Sequence, residues 1–355
     1  MRRLPIPHRL AGAAVVLALA ATACGGDSGS TSSAASSASN ASTPAAPAKT
    51  VSYPLTVTDC GKPVTIPKEP KRVVVDDTAV AEMLFALGVG DRIVAQFMDP
   101  NLVDALPQYK DQDAKVPSLG GPRRSQHAPS KEVLLASQPD LVIPSFPKSI
   151  DAENTVTTAD LNAIGATAVV LSYGCPNASA TLKMDDSLND LLLLGEVFGV
   201  KDKAQKMVDD MRGQLADVQR RVGTLPKPTV ASFYVFNGRL SVFGGGIPDE
   251  IVRLAGGNNV WSGQQPPTGD VILNISNESF SAKPVDVWVI TNLSGISAGA
   301  IAPQDAFNVA AGLFPTMPAA VNKRWATLSG HAQQPSLVSV DAVVQLAKVI
   351  HPEAF

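Results

Sequence analysis

Eight side chains of this chain, at predicted strand ends or in the loops between elements, are of types that could contact a ligand. Arginine pairs with anionic oxygens, and aromatic faces pack against flat rings. Ligands of open α/β sheets bind where the strands end. We therefore predict ligand contacts from these residues, with core packing as the alternative for each aromatic ring. The candidates are Arg123, Arg124, Phe146, Tyr173, Arg239, Trp261, Asn292 and Trp325.

The sequence gives less support to two other kinds of site. Direct binding of a transition metal needs about three histidines and a carboxylate. Of the four histidines, His8 lies in the predicted signal peptide and His351 at the C-terminal end, which leaves His127 and His331. An exported hydrolase is the second kind, and the sequence favours it less than a binding protein. Asp76 and Asp77 are the one acidic pair at a strand end that suits acid–base chemistry. We expect a binding protein without enzymatic activity, resident cofactor or directly ligated metal.

The first 49 residues have the pattern of an exported, lipid-anchored protein. Arginines precede an apolar run over residues 10–21, and small residues precede Cys24, as in a bacterial lipobox. Ala21 departs from that motif, which usually has leucine there, so secretion without a lipid anchor stays open. Residues 25–49 are rich in Gly, Ser, Thr, Ala and Pro and cannot bury a core. We predict a signal peptide over residues 1–23, acylation of Cys24, a flexible tether over 24–49 and a location on the outer face of the cell membrane.

Two cysteines remain after Cys24. Cys60 lies in the turn of a predicted hairpin, and Cys175 follows a predicted strand. Two cysteines in an exported chain pair more often than they stay free. We predict a disulfide between them; two separate buried thiols are the alternative.

The rest of the chain alternates strand-like and helix-like segments on both sides of one long amphipathic segment, Lys201–Val222. Its apolar residues recur every three or four positions, which predicts a helix of about 33 Å. Val73–Val75 is a predicted strand, followed by a helix with Thr78 as its N-cap. We predict an α/β fold of two Rossmann-like lobes joined by this rigid helix, with the ligand cleft between them. One large domain with a surface helix is the alternative.

Three ranges divide the predicted folded part. Residues 50–184 form the N-terminal lobe, 185–227 the linking helices and 228–355 the C-terminal lobe. Charged residues make up 17% of the chain and the net charge is −3, so no basic surface indicates nucleic acid as a partner. We expect a monomer.

Two segments of the sequence resemble each other. In each, a serine precedes a glutamate by two places, and the glutamate precedes a strand-opening aspartate by eight. The glutamates are Glu132 and Glu278, and the aspartates are Asp140 and Asp286. The proline before the second aspartate lies one place earlier than its counterpart. Each glutamate should lie on the first turn of a helix, where the helix dipole favours an acid. Two such acids in two lobes suggest a paired external contact.

From about Arg72 to Pro352 the chain resembles the periplasmic-binding-protein family of ABC importers for iron–siderophores and cobalamin. The segments that carry the resemblance are RVVVDDTAVAEMLFALGVGDRIVA, PSKEVLLASQPDLVI, the long helix after LLLLGEVFGV, and GGGIPDEIVRLAGGNNVW. The resemblance implies two lobes joined by a long helix, with the ligand between them. It also implies that Glu132 and Glu278 dock on basic pockets of a dimeric permease.

The resemblance further implies capture of a ferric siderophore, with iron present only inside the bound complex. Arg123 and Arg124 lie in a loop where siderophore-binding members carry a ligand-contacting arginine. Phe146 and Trp261 also fall in segments that contact ligand in such members. The sequence leaves cobalamin, haem and a role without a permease open, because a fold does not fix a function.

Overall fold

A β-hairpin opens the described part of the chain, with β1 over Leu55–Asp59 and β2 over Lys62–Ile66. The protein is described here from a computed structural model, which covers residues 51–99, 105–120, 128–266, 269–294 and 299–355. The predicted signal peptide, the tether and Cys24 lie outside the described residues. No helix within those ranges is both long enough and apolar enough to cross a membrane.

The N-terminal lobe is built on a parallel sheet with the strand order β4-β3-β5-β6. Its strands are short and buried, as expected for parallel strands covered on both faces. They are β3 (Val73–Val75), β4 (Ile93–Gln96), β5 (Leu141–Ile143) and β6 (Thr167–Ala168). The helices between them are α1 (Thr78–Leu87), α2 (Lys110–Asp113), α3 (Lys131–Ala136) and α4 (Thr158–Ala163).

The start of α1 corrects one detail of the sequence prediction. Asp77, not Thr78, is the N-cap, because Asp77 is extended and its side chain accepts a hydrogen bond from the Val80 backbone N–H. Thr78 is the first residue of the helix, and its hydroxyl donates to Asp113. Gly88 ends the helix in the left-handed conformation with φ +79°.

Two helices connect the sheets. They are α5 (Met184–Val197) and α6 (Lys201–Val222), and α6 has the bounds predicted from its apolar periodicity. One apolar cluster continues from β3 through Leu191 and Val208 to Val230 and Ile350 on the far side. The long helix is therefore packed along its length, which the apolar face predicts.

The C-terminal lobe contains a mixed sheet with the strand order β10-β8-β7-β11-β12, and β9 pairs with β7. β7, β11 and β12 are parallel, whereas β8 runs antiparallel to β7 and β10. The strands are β7 (Thr229–Phe236), β8 (Arg239–Phe243), β9 (Asn258–Asn259), β10 (Val271–Ile275), β11 (Val287–Asn292) and β12 (Trp325–Ser329). The helices are α7 (Gly246–Leu254), α8 (Asn277–Ser281), α9 (Pro303–Leu313), α10 (Pro318–Val321) and α11 (Val338–Ile350).

The reversal at β8 comes from a two-residue turn. Asn237 and Gly238 have φ of +48° and +75°, the conformation that closes tight hairpins.

The adjacent α7 begins where the lobes approach closely. The Gly246 N–H donates to the Ala180 carbonyl at 3.0 Å, and a Cβ on Gly246 would collide with the Ser179 carbonyl oxygen.

The predicted disulfide is present between Cys60 and Cys175, which are 115 residues apart in the sequence. It ties the hairpin turn to the segment that follows β6. Asp59 supports the same junction, because its carboxylate accepts the Val170 N–H at 2.7 Å. The hairpin is thereby attached beside the edge strand of the first sheet.

Removing the disulfide should destabilise the protein without unfolding it completely. The chain-entropy model for so long a loop gives about 4 to 5 kcal/mol of stabilisation. We expect the Cys60→Ser, Cys175→Ser double variant to lose about that much free energy of unfolding in urea. Alkylation of the unreduced wild type should leave both cysteines unmodified. Two labelled thiols in the folded wild type would contradict the assignment.

Candidate ligand-binding cleft

Two predicted contact residues form an aromatic pair in the N-terminal lobe. Phe146 follows β5 and Tyr173 follows β6, so both rings lie beyond the carboxyl ends of parallel strands. Their centroids are 5.6 Å apart and the planes meet at 88°, an edge-to-face arrangement that aromatic rings favour. Both side chains are half-buried. The structure therefore brings these two predictions together.

Asp76 holds the loop that carries Phe146. Its Oδ2 accepts hydrogen bonds from the Ser145 N–H at 2.8 Å, the Phe146 N–H at 3.0 Å and the Ser149 hydroxyl at 2.7 Å. Asp76 lies at the end of β3 and is fully buried. Burial, with the neighbouring charge of Asp77, raises the pKa of Asp76 to about 7.

Asp190 holds the turn that carries Tyr173 by accepting hydrogen bonds from it. This α5 residue accepts hydrogen bonds from the Ser172 N–H at 3.1 Å and the Ser172 hydroxyl at 2.7 Å. Burial raises the pKa of Asp190 to about 7. The turn spans Ser172–Gly174, and the disulfide at Cys175 follows it directly.

The C-terminal lobe faces Tyr173 with two polar groups. Burial, followed by the charges of Asp270 and Tyr234, raises the pKa of Tyr173 well above its usual value. Asp270 precedes β10 and is 5% exposed, and burial raises its pKa to about 7. Charges that belong to the C-terminal lobe therefore act on the Tyr173 phenol.

An open hollow of about 360 Å³ lies on the same face of the second sheet as Tyr234. Strand alternation places Tyr234 and Phe236 of β7 on one face, with their cross-strand partners Ser241 and Arg239 beside them. The hollow is lined by Tyr234, Phe236, Asn237, Arg239, Ser241, Leu273 and Asn274. The exposed guanidinium of Arg239 supplies a positive charge at its edge, as predicted for a ligand contact.

A larger hollow of about 1050 Å³ lies in the N-terminal lobe. It runs beside β6 between the β1–β2 hairpin and the loops after β5 and β6. Phe146 and Lys148 contribute to its lining, as do Asp59 and Cys60 next to the disulfide. Phe146 therefore lies between this hollow and the Tyr173 ring.

Two predicted tryptophans do not reach the cleft. Trp261 is 5% exposed and packs against Phe280, with the Lys283 ammonium 4.8 Å from its ring centroid. Trp325 begins β12, so it lies at the amino end of a parallel strand, stacked on Phe307 at 5.2 Å. Core packing, the alternative considered from sequence, accounts for both.

Three predictions remain to be placed. Asn292 ends β11 at the carboxyl edge, and its side-chain oxygen accepts hydrogen bonds from the Ser294 N–H and hydroxyl. Arg123 and Arg124 lie outside the described residues. Tyr234 and Asp270 are not among the residues predicted from the sequence, although strict alternation in β7 places Tyr234 on the same face as Phe236.

A buried polar junction also joins the two lobes. The Gln334 amide, which follows β12, donates to Asp77 at 2.6 Å. His331 Nδ1 is 3.9 Å from Glu82, which is fully buried. Burial raises the pKa of Glu82 to about 8 and lowers that of His331. Asp113, also buried, adds a further acid whose pKa burial raises to about 6. Burial therefore makes Glu82 and Asp113 bind a proton more tightly than they would in water.

Glu132 and Glu278 occupy equivalent places. Each is the second residue of a short helix, α3 or α8, whose N-cap serine accepts a backbone N–H. Both are exposed, and hydrogen bonds from the residue's own backbone N–H and from the cap serine lower the pKa of each.

The strand-opening aspartates are equivalent too. Asp140 accepts the N–H groups of Lys71 and Arg72, and Asp286 accepts the N–H and hydroxyl of Thr229. The sequence echo therefore corresponds to the same local structure in both lobes.

A search of the described residues for metal-binding groups finds Asp59, Cys60 and Cys175, whose potential ligand atoms lie within 4.8 Å of one another. The two sulfurs are bonded to each other in the disulfide. They are therefore not available as thiolate ligands in the oxidised protein.

Comparisons with known proteins identify the family. The family model described as "Periplasmic binding protein" matches residues 73–328, so the chain belongs to that family, whose members are non-enzymatic transport components. A curated Bacillus subtilis (strain 168) protein, "Uncharacterized ABC transporter substrate-binding lipoprotein YvrC", is 25% identical over 191 residues. That match covers 53% of each protein, so the chain spans about half the length of this relative.

Solved structures share the fold. An ABC-type Fe3+-hydroxamate transport system protein from Saccharomonospora viridis DSM 43017 has a TM-score of 0.65 and 24% identity, covering 84% of this chain and 99% of that one. The periplasmic heme-binding protein RhuT from Roseiflexus sp. RS-1 has a TM-score of 0.60 and 18% identity, covering 80% and 99%. Both confirm the predicted two-lobed α/β architecture.

The acid at the lobe junction should make stability depend on pH. Because the folded-state pKa of Glu82 is about 8 and therefore lies above its unfolded value, the folded protein holds this proton more tightly. Its stabilising effect is complete at low pH and is lost as pH rises through about 8. When the pH is raised from 5 to 8.5, the unfolding free energy of the wild type should therefore fall. The fall should be smaller in Glu82→Gln, by about 2 to 4 kcal/mol. Chemical denaturation at several pH values measures this difference.

The exposed Glu153 provides the control. Glu153→Gln should follow the wild-type pH profile, because that side chain is solvated in both states. Parallel profiles for Glu82→Gln and wild type would show that Glu82 does not hold a proton in the folded protein.

Proposed function

We propose that this protein is a lipid-anchored solute-binding protein that captures a ferric siderophore in its cleft and delivers it to an ABC importer permease. Membership of the periplasmic-binding-protein family supports the transport role. The Bacillus subtilis relative is named a substrate-binding lipoprotein, which supports the anchor through Cys24. The Saccharomonospora viridis structure supports a hydroxamate ligand.

The observation that supports the ligand class most is the aromatic pair of the N-terminal lobe, considered together with the side chains on the β7 face. Phe146 and Tyr173 offer rings from one lobe, and Tyr234 with Arg239 offers a ring and a positive charge from the other. Ferric siderophore complexes combine flat chelating groups with anionic oxygens, which such a set can pack against and pair with. Arg123 and Arg124 would add further positive charge.

Haem is the second candidate. It is also flat and carries two carboxylates, and the Roseiflexus neighbour is a heme-binding protein. The same aromatic and arginine side chains suit either ligand. Direct measurement of the affinity for each ligand therefore distinguishes haem from a ferric siderophore. Cobalamin is included because the same family imports it.

Native mass spectrometry of the mature protein with a panel of ferric hydroxamates, ferric catecholates, haem and cobalamin tests the ligand class. We expect a one-to-one complex with a ferric siderophore. Phe146→Ala and Tyr173→Ala should each weaken it roughly tenfold, because each removes a packed ring. The double change of Arg123 and Arg124 to Ala should weaken anionic complexes further.

The matched control is Phe355→Ala, which removes an exposed ring that contacts Arg221 at the end of the chain. Its affinity should equal that of the wild type. If the protein binds haem or cobalamin in preference, that ligand replaces the siderophore in this proposal. If Phe146→Ala and Tyr173→Ala bind the ferric siderophore as tightly as the wild type does, the aromatic pair is not part of the site.

Delivery should depend on Glu132 and Glu278. Both are exposed on separate lobes and lie away from the strand ends of the cleft. The double change to Ala should leave ligand affinity intact while uptake of radioactive iron by cells falls severalfold, because interfacial charge pairs orient a partner. Tethering raises the local concentration, so one lost pair can be masked and the double variant is decisive.

The exposed acids Glu153 and Glu353 serve as the control pair, with both changed to Ala in one variant. That variant should transport normally. Normal uptake by the Glu132, Glu278 variant would show either that the permease reads another surface or that this protein does not supply a transporter.

A further inference from the structure

We infer that Asp76 and Asp190 are positioning residues for the ligand, because each fixes the backbone that presents one ring of the Phe146–Tyr173 pair. This inference rests on the proposed function, since it assigns a purpose to those rings. Neither carboxylate is among the predicted contact residues. Each acts through the loop above it.

Three donors from one loop converge on a single oxygen of Asp76. Two are consecutive backbone N–H groups, at Ser145 and Phe146, and the third is the Ser149 hydroxyl. Consecutive N–H groups can point at one acceptor only in a restricted backbone conformation. The Phe146 backbone is therefore oriented from β3, a different strand from the one it follows.

Asp190 reaches the second ring from a helix. Its carboxylate accepts both the N–H and the hydroxyl of Ser172, the residue before Tyr173. On the other side of Tyr173, Cys175 is bonded to Cys60. The aromatic residue thus lies in a one-turn segment fixed at both ends.

Asp76 and Asp190 are buried and, among the residues that the structure describes, are held by hydrogen bonds and not by ion pairs. Asp76 is 0% and Asp190 4% exposed, and within the described ranges neither forms an ion pair. An isolated buried carboxylate is unfavourable unless hydrogen-bond donors surround it. Here all the donors belong to the two aromatic loops, so the unfavourable burial is offset only when those loops adopt this conformation.

Asp286 provides a comparison within the same protein. It also accepts a backbone N–H and a hydroxyl, both from Thr229, but at the amino end of β7 and away from the cleft. The Asp286 residue is partly exposed. The same hydrogen-bonding pattern therefore occurs with and without an aromatic ring to position.

The experiment compares Asp76→Asn, Asp190→Asn and the control Asp286→Asn in the mature protein. The probes are gallium(III) complexes of a trihydroxamate and of a tricatecholate, which are diamagnetic substitutes for the ferric forms. Amide NMR of the free protein reports loop geometry, and calorimetry reports affinity. We expect the Phe146 amide to shift in Asp76→Asn and the Ser172 amide in Asp190→Asn, with roughly tenfold weaker binding in each.

The control should keep wild-type affinity even if its melting temperature falls by a similar amount. Shifted amides with unchanged affinity would overturn the inference, and so would an equal loss of affinity in the control. Should an aspartate variant fail to fold, Ser149→Ala and Ser172→Ala each remove one donor and are judged in the same way. If the wild type binds neither probe, the proposed siderophore function fails; if it binds and the variants bind equally well, only the positioning role fails.

Discussion

The packing of α5 and α6 against each other and against helices of both lobes is the interaction on which the two-lobed structure depends. No strand is shared between the sheets in the described part of the chain, so apolar contact through these helices must join them. Val208 and Val222 of α6 are fully buried in a cluster that includes residues of both lobes. Buried apolar area of this kind contributes about 25 cal/mol per Å². Separating the lobes would expose it, which fixes the back of the cleft.

Much of the fold follows from local pattern. Periodicity predicts α6 with the observed bounds, because one apolar stripe dominates that segment. β10 was missed: Leu273 and Asn274 are exposed, and the register shifts between Ile272 and Ile275, so its apolar residues do not alternate regularly. The N-cap of α1 was misplaced by one residue because adjacent aspartate and threonine are both good caps, and only the backbone decides between them.

The site was harder to predict, since position along a strand does not reveal what packs on a side chain. Phe146 and Tyr173 form an aromatic pair, whereas Trp261 belongs to the apolar core of the second lobe. The pKa values of the acids around the cleft could not be predicted from the sequence, because burial between distant segments sets them. Asp76 and Asp270 both gain a pKa of about 7 in this way. Such perturbed groups concentrate near functional sites in proteins.

Gly246 is a position at which a single substitution would change the spacing of the two lobes. It sits at the start of α7 with φ +63°, against the Ser179 carbonyl. Any larger residue there would push α7 away from residues 178–183, which lead into α5. Because α7 belongs to the second lobe, the displacement would tilt one lobe against the other. One codon could therefore alter the aperture between the lobes, and hence the bulk of cargo admitted, while leaving every residue that lines the cleft unchanged.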